Sequence, residues 1–480
     1  MTAPDADKQK GSRMQQYTCD ILGIGFGPAN LSLAIALEED GLSDRALFLE
    51  KRMGPTWQPG MLLDGTDIQN NPLRDLVTLR NPLSRYTFTN YLHTHERLLP
   101  YLNLGLQFPL RKEFARYIEW VSGFFGHQVR YGRAVRNIAY DHDRQLYRVG
   151  TTTTSEVYLA RALVIGTGRT PLIPDAFKSM LSERVFHLND YLPKNTRQVL
   201  KNSRGHVCVI GASQSAIEIV IDLYTRYPHL QITNLIRGFG YQLKDTSPFS
   251  EHVYFPEFID YFFEANAESK RTLTDLLRRT NYSSADADVI HRLYLMLYEQ
   301  NLDGESRLNV RTNTDVVAAR TVANKVELTL REMHRGDVET LDCDWVILGT
   351  GFRNLGGRAN EERYPSILEP IADLLEMNGE GTPQINRDYS LASAKGSSAT
   401  QTIFLNGLCE SSHGLGDAGS FSLLAQRGTC ISRALASRLQ LVRSEQAAEV
   451  RSEQAAEVRL APALEPEPRN AVAVAGGAAS

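Results

Sequence analysis

Among 480 residues the chain has only five cysteines, Cys19, Cys208, Cys343, Cys409 and Cys430, and no two form a C-x-x-C pair. So sparse and odd a set excludes a disulfide framework, suggests no zinc site, and fits the reducing cytoplasm. No apolar run approaches the roughly 18 residues of a membrane span. The opening stretch MTAPDADKQKGSRMQQ lacks the apolar core of a secretory signal, and it is expected to be a polar, disordered tail over residues 1–16. Neither sign of charge prevails. With 52 Lys+Arg against 56 Asp+Glu and a net charge of -4, nothing favours nucleic acid or an anionic membrane as partner. What remains is an ordinary globular composition, 42% hydrophobic and 22% charged, on a chain long enough for two or three domains. Small-molecule binding or catalysis is the expectation.

The most informative stretch is DILGIGFGPAN, Asp20 to Asn30, an apolar run that breaks into glycines and then into the helical pattern LSLAIALEED. Strand, tight turn and helix in that order place backbone N–H groups and a helix N-terminus where a pyrophosphate binds. Gly25 and Gly27 take the first two glycine positions of G-x-G-x-x-G, Pro28 follows, and Asn30 stands in place of the third glycine. Glu50 ends the next apolar run, 25 residues after Gly25, where an acid meets ribose hydroxyls. An acid there suits an adenine dinucleotide without a 2′-phosphate, FAD or NAD.

A second unit of this kind is VCVIGASQSAIE, from Val207, with Gly211, Ser213 and Ala216 at the fingerprint spacing and Gln214 and Ser215 in the turn. Its next apolar run ends in Arg237, 26 residues after Gly211. A guanidinium at that position suits the 2′-phosphate of NADPH. One unit with an acid and one with an arginine imply FAD plus NADPH, and the reduction of one bound cofactor by the other. The runs ALVIGTG, Ala162 to Gly168, and WVILGTG, Trp345 to Gly351, suggest two strands of a split first domain, with Gly349 and Gly351 at its cofactor. The fold expected is therefore α/β: two Rossmann-like dinucleotide-binding domains, the second inserted in the first, plus a small, mostly helical substrate region. Its divisions are 17–195 for the first part of the FAD domain, 196–341 for the NADPH domain with part of the substrate region (about 245–300), and 342–440 for the return. Residues 441–480, with RSEQAAEV twice in tandem and then an Ala/Pro/Gly-rich stretch, are expected to be a solvated low-complexity tail.

Ten stretches in order, the two turns among them, carry a resemblance: GFGPANL at Gly25, WQPGMLL at Trp57, RDLVTLRNPLSRYTFTNYLH at Arg74, GTGRTPLIP at Gly166, VFHLNDYL at Val185, GASQSAIE at Gly211, DTSPF at Asp245, TNYS at Thr280, LGTGF at Leu348 and HGLGD at His413. From about Tyr17 to Leu439 the sequence resembles the flavin-dependent N-hydroxylating monooxygenases, the ornithine/lysine N-monooxygenase family. The resemblance implies that NADPH reduces FAD, that reduced FAD takes up O2, and that the C4a-hydroperoxyflavin passes an oxygen to the primary amine of a small amino acid. It implies no dedicated catalytic side chain, places Trp57, Gln58 and Met61 near the flavin, and implies a homo-oligomer, dimer or tetramer. A flavin oxygenase of the Baeyer–Villiger type shares both units, but its F-x-G-x-x-x-H signature is missing from Val185 to Leu192.

Substrate choice is expected where the chain departs from the family. Arg74 replaces a lysine that in ornithine-type members meets the substrate carboxylate. Glu251 stands for an asparagine after S-P-F, Asn281 matches the family, and His291 and Arg292 replace an acidic residue on a following helix. The substrate set is then Gln69, Arg74, Glu251, Asn281 and Arg292. Two arginines at one pocket favour a dicarboxylate, so the preferred substrate is L-aspartate, with continued oxidation to nitrosuccinate as the extension of that reading. The alternative is L-ornithine, L-lysine or a diamine, in hydroxamate siderophore assembly.

Overall fold

The computed structural model describes residues 14–192, 200, 204–395 and 402–441. Residues 442–480, where the tandem repeat and tail are expected, lie outside these, as do residues 1–13 of the expected N-terminal tail.

The first sheet begins with β1 (Gln15–Ile24), so the polar pair Gln15 and Gln16 forms strand and does not continue the tail. Its inner half is apolar and buried, as a parallel strand covered on both faces must be. The chain then turns through Gly25 into α1 (Pro28–Glu39), with Gly27 extended at the N-cap and Pro28 supplying a preset φ at the first helical position. Next come β2 (Ala46–Glu50), the helices α2 (Phe88–Thr94), α3 (Leu98–Leu104) and α4 (Arg111–Phe124), and then β3 (Val129–Tyr131), β4 (Val135–Asp141), β5 (Leu146–Thr151) and β6 (Glu156–Ile165). Their order in the sheet is β3-β2-β1-β6-β5-β4. The pairs β1–β2 and β1–β6 are parallel, and β4 and β5 add an antiparallel edge.

Two short strands, β7 (Thr170–Pro171) and later β16 (Phe352–Arg353), pair antiparallel where the chain leaves and re-enters the first domain. Between them lies a second parallel sheet. It is built from β8 (Val185–His187), β9 (His206–Ile210), β10 (Gln231–Leu235), β11 (Leu308–Arg311) and β15 (Trp345–Leu348), in the order β11-β10-β9-β15-β8. Helix α5 (Gln214–Arg226) follows β9, and a helical lobe of α6 (Pro256–Glu264), α7 (Ala267–Leu276) and α8 (Ala287–Leu302) stands between β10 and β11. The antiparallel strands β12 (Thr314–Val322), β13 (Lys325–Glu332) and β14 (Val338–Cys343) form a separate layer. The chain rejoins the first sheet as β17 (Ile403–Leu405), parallel to β6, and ends in α9 (Leu424–Leu439), whose Gly428 packs against the backbone of Ser32 in α1.

This topology corrects two boundaries. WVILGTG, expected to return to the first domain, is β15 and pairs with β9 and β8; VFH, expected in the first domain, is β8 and belongs to the second sheet. The two G-T-G strands resemble each other because they occupy the same place in two sheets. A Cβ on Gly25 would lie 2.5 Å from the Gly166 carbonyl oxygen, and one on Gly211 would lie 2.2 Å from that of Gly349. Each unit needs a glycine turn against the end of a neighbouring buried strand, and apolar pattern alone cannot say which sheet that strand joins.

Candidate active site

The first turn fits a pyrophosphate. Gly25 has φ +86°, a conformation that disfavours side chains, and the space beside the α carbon of Gly27 is open. No side chain caps α1 and no acid lies in its first turn, so the positive end of the helix is free to meet an anion. Glu50 sits at the end of β2 as expected, yet its carboxylate already accepts the Phe26 N–H at 2.8 Å and the Arg52 N–H at 2.9 Å. Asn30 is fully buried. Its amide donates to the Gly25 carbonyl at 2.7 Å and its oxygen accepts from Asn406 at 3.0 Å. Asn406 in turn accepts from Arg427, which pairs with buried Asp417 at 2.7 Å. The Asn30 side chain therefore fixes the turn from behind.

In the second turn Gly211 has φ +141° and Ser213 caps α5 with no side-chain bond. Ser215 is half-buried, whereas the Gln214 amide points inward to Glu218. Arg237 is exposed beyond β10, and among the described residues its side chain has no hydrogen-bond or ion-pair partner. Gly351 (φ +81°) offers its carbonyl to His187 Nε2 at 2.9 Å.

Around the expected flavin face, Trp57 stands edge-on to Phe421 and Phe114, with ring centroids 5.3 and 6.1 Å away. Gln58 adopts the left-handed conformation at φ 43°. Met61 is buried among Leu63, Phe186 and Leu188, and a Cβ on neighbouring Gly60 would overlap the Asn189 carbonyl.

The substrate candidates divide. Arg74 Nη2 lies 3.2 Å from Glu251 Oε2, its Nη1 lies 3.5 Å from Ser422 Oγ, and its guanidinium faces the Tyr254 ring at 5.5 Å. Gln69 (φ 53°) donates to Asp286 at 2.7 Å and accepts from Lys244 Nζ at 3.2 Å. Burial lowers the Lys244 pKa below the ordinary lysine range. Asn281 donates to the Leu415 carbonyl at 3.1 Å. Arg292, by contrast, is exposed and lines a cavity of about 300 Å³ whose walls include Asp64, Asp67, Glu218, Asp222 and Asp288. Among the described residues it shares no hydrogen-bond or ion-pair partner with Arg74. The geometry gives no support to two arginines acting together on a dicarboxylate: Arg74 already faces a carboxylate, and Arg292 lines a cavity among acids that would repel one. The physical basis of the aspartate expectation falls with that pairing.

Sequence reading missed a buried cluster at the junction of both domains. Glu410 accepts from the Tyr282 hydroxyl and from Asn354 Nδ2 at 2.6 Å, and Arg169 donates to Tyr282 at 2.7 Å. Burial raises the Glu410 pKa to about 7, despite the opposing pull of Arg169. Its members come from four separate segments, three of them inside quoted motifs or next to one, but no spacing joins them.

With this geometry in view, known proteins decide the family. The model of the L-lysine 6-monooxygenase/L-ornithine 5-monooxygenase family matches residues 17–354, more than half of the chain. The chain belongs to this family. It is 37% identical over 417 residues to the L-ornithine N(5)-monooxygenase of Burkholderia cepacia, covering 84% of this chain and 91% of that relative. The ornithine hydroxylase of Pseudomonas aeruginosa has a similar structure, with TM-score 0.80 and 34% identity over 88% of this chain and all of that one. So does the ornithine N-hydroxylase of Kutzneria sp. 744, solved with reduced FAD, NADP+ and L-ornithine, with TM-score 0.80 and 32% identity over 88% of this chain and all of that one. The protein is thus an FAD- and NADPH-dependent N-hydroxylating monooxygenase of the ornithine/lysine family, with two Rossmann-like domains. Among the described residues no helix is long and apolar enough to cross a membrane.

Proposed function

We propose that the protein hydroxylates the side-chain amine of an α-amino acid, L-ornithine first and L-lysine second, and so provides the hydroxylamine of a hydroxamate siderophore. The observation that carries this is the Arg74–Glu251 pair, a cation and an anion 3.2 Å apart beside Ser422. An α-amino acid head group carries the complementary pair of charges: its carboxylate suits the guanidinium fork and its ammonium suits Glu251. A dicarboxylate would bring two anions to a site already holding one, and a simple diamine would leave Arg74 without its carboxylate. The named relatives act on ornithine, which supports the same choice.

Bound FAD, reduced by NADPH, supplies the oxygen atom from O2. The chain's part is to position and to exclude water. Gly25, Gly27 and the helix start that Pro28 sets would hold the FAD pyrophosphate, Glu50 would add the ribose contact, and Gly211, Ser213, Ser215 and Arg237 would hold NADPH. Arg74, Glu251 and Asn281 fix the head of the substrate so that its far amine reaches the reactive ring, while Trp57 and Phe421 close the ring side to solvent. The amine has to arrive neutral, because an ammonium has no lone pair.

The deciding experiment couples NADPH oxidation to product mass, with ornithine, lysine, aspartate, glutamate and a diamine compared side by side. Ornithine or lysine gaining one oxygen is the expected result. Oxygen incorporated into aspartate alone would overturn this reading.

A further inference from the structure

Among the described residues the chain passes between the two domains at β7 and β16, a two-stranded crossing. Such a crossing does not by itself fix the angle of one domain on the other, so non-covalent contacts set it, among them the packing of Met61 on Phe186 and Leu188. One pair stands out. Arg111, the first residue of α4 in the FAD domain, forms a two-point ion pair with Glu218 of α5 in the NADPH domain, Nη1 to Oε2 at 2.8 Å and Nη2 to Oε1 at 3.0 Å. Both side chains are less than 10% exposed, at 7% and 3%. Arg111 also donates to the Met61 carbonyl at 2.9 Å and to that of Asp67 at 2.9 Å.

From Glu218 the bonds continue in a closed ring. Gln214 Nε2 donates to Glu218 Oε1 at 3.2 Å, and Gln214 Oε1 accepts the Asp286 N–H at 2.9 Å. Asp286 accepts from Gln69 at 2.7 Å, the Gln69 N–H donates to the Asp67 carboxylate at 2.8 Å, and Asp67 leads back to Arg111. The ring thus passes through the first residue of α5, where the NADPH turn ends, and through Gln69, ahead of Arg74. The family chemistry uses a flavin and a nicotinamide in contact, and α5 carries the turn assigned to the nicotinamide dinucleotide.

We propose that Arg111 and Glu218 are positioning residues that latch the NADPH domain onto the FAD domain, setting where the Gly211–Ser215 turn stands relative to the flavin. The inference rests on the assignment of that turn to NADP(H), not on the choice of amine substrate. A buried ion pair is a poor source of stability, since well-packed apolar residues of similar volume replace such pairs with little loss, whereas removing one partner strands a charge. Its value here is to hold one angle between two bodies.

The test is the double variant Arg111→Met/Glu218→Leu, which removes both charges together, prepared as the FAD-loaded full chain. NADP+ is titrated by its effect on the flavin absorbance, and thermal unfolding and small-angle scattering are recorded on the same samples. Expected are a melting temperature within a few degrees of wild type, NADP+ bound at least fivefold more weakly, and a larger radius of gyration. NADP+ affinity and radius equal to wild type would overturn the latch, and so would a double variant that loses FAD and unfolds far below wild type, which would make the pair part of the fold. A wild-type protein that takes up no NADP+ would overturn the assignment of the turn and the latch with it.

Discussion

In the first unit Gly25 lies under the Gly166 carbonyl, and the acid at the end of the next strand, Glu50, already holds the Phe26 N–H of the same turn. In the second, Gly211 lies under the Gly349 carbonyl in the same way, but Arg237 stands exposed at the corresponding strand end with no side-chain partner among the described residues. A side chain engaged in the fold cannot be removed without disturbing the turn it braces; a free one can lose its ligand contact alone. The contrast separates residues that shape the site from residues that only read the ligand.

Breaking a turn itself should do most. Gly25→Ala forces a Cβ to 2.5 Å from a backbone oxygen at a positive φ, at a cost on the order of 3 kcal/mol or more. We expect purified protein with less than a tenth of the wild-type FAD absorbance, and a variant that retains full FAD would mean the turn tolerates the methyl. Arg237→Ala should act on the ligand only. With charged hydrogen bonds worth roughly 1.5–3 kcal/mol, NADPH binding should weaken about tenfold to a hundredfold in a titration, while NADH changes less than about twofold. Equal losses for both nucleotides would remove Arg237 from the 2′-phosphate.

Glu410 extends the contrast to protons. Its folded pKa, about 7, lies above the ordinary 4.5 because burial disfavours the carboxylate. The stability it lends is whole below about pH 4.5 and is lost as pH rises through 7, a span on the order of 3 kcal/mol. The melting temperature of Glu410→Gln should therefore fall less between pH 5 and 8 than that of wild type; parallel melting curves across that range would place the proton elsewhere. The smallest effect is expected from Arg292→Ala. It is exposed and lines a cavity among acids, a lining that does not include Arg74, so KM for ornithine should stay within about twofold and stability within about 0.5 kcal/mol. A large rise in KM would return Arg292 to the substrate site.

Both turns, the helices behind them and the strand-end residues Glu50 and Arg237 were legible because strand, glycine and helix follow one another within a short stretch. Assignment of strands to sheets was less so: β15 reads like β6, since both are buried parallel strands beside a glycine turn, and only pairing tells them apart. Pairs that meet across the fold carry no periodic signal at all. Arg111 meets Glu218 at a separation of 107 residues and Tyr282 meets Glu410 at 128. The surroundings of Arg292 were illegible for the related reason that a helical position fixes a face, and the acids opposite that face come from elsewhere in the chain.

Asn30 has one more implication, for how such turns are recognised. A Cβ on Gly166 would lie 2.6 Å from the Asn30 side chain, so the room that the third glycine normally provides on the helix is supplied from the neighbouring strand. The fingerprint is complete in space and incomplete in sequence. A search that counts glycines along one segment would score this nucleotide site as damaged, while one that scored positions 30 and 166 as a pair, one large and one absent side chain, would find it intact.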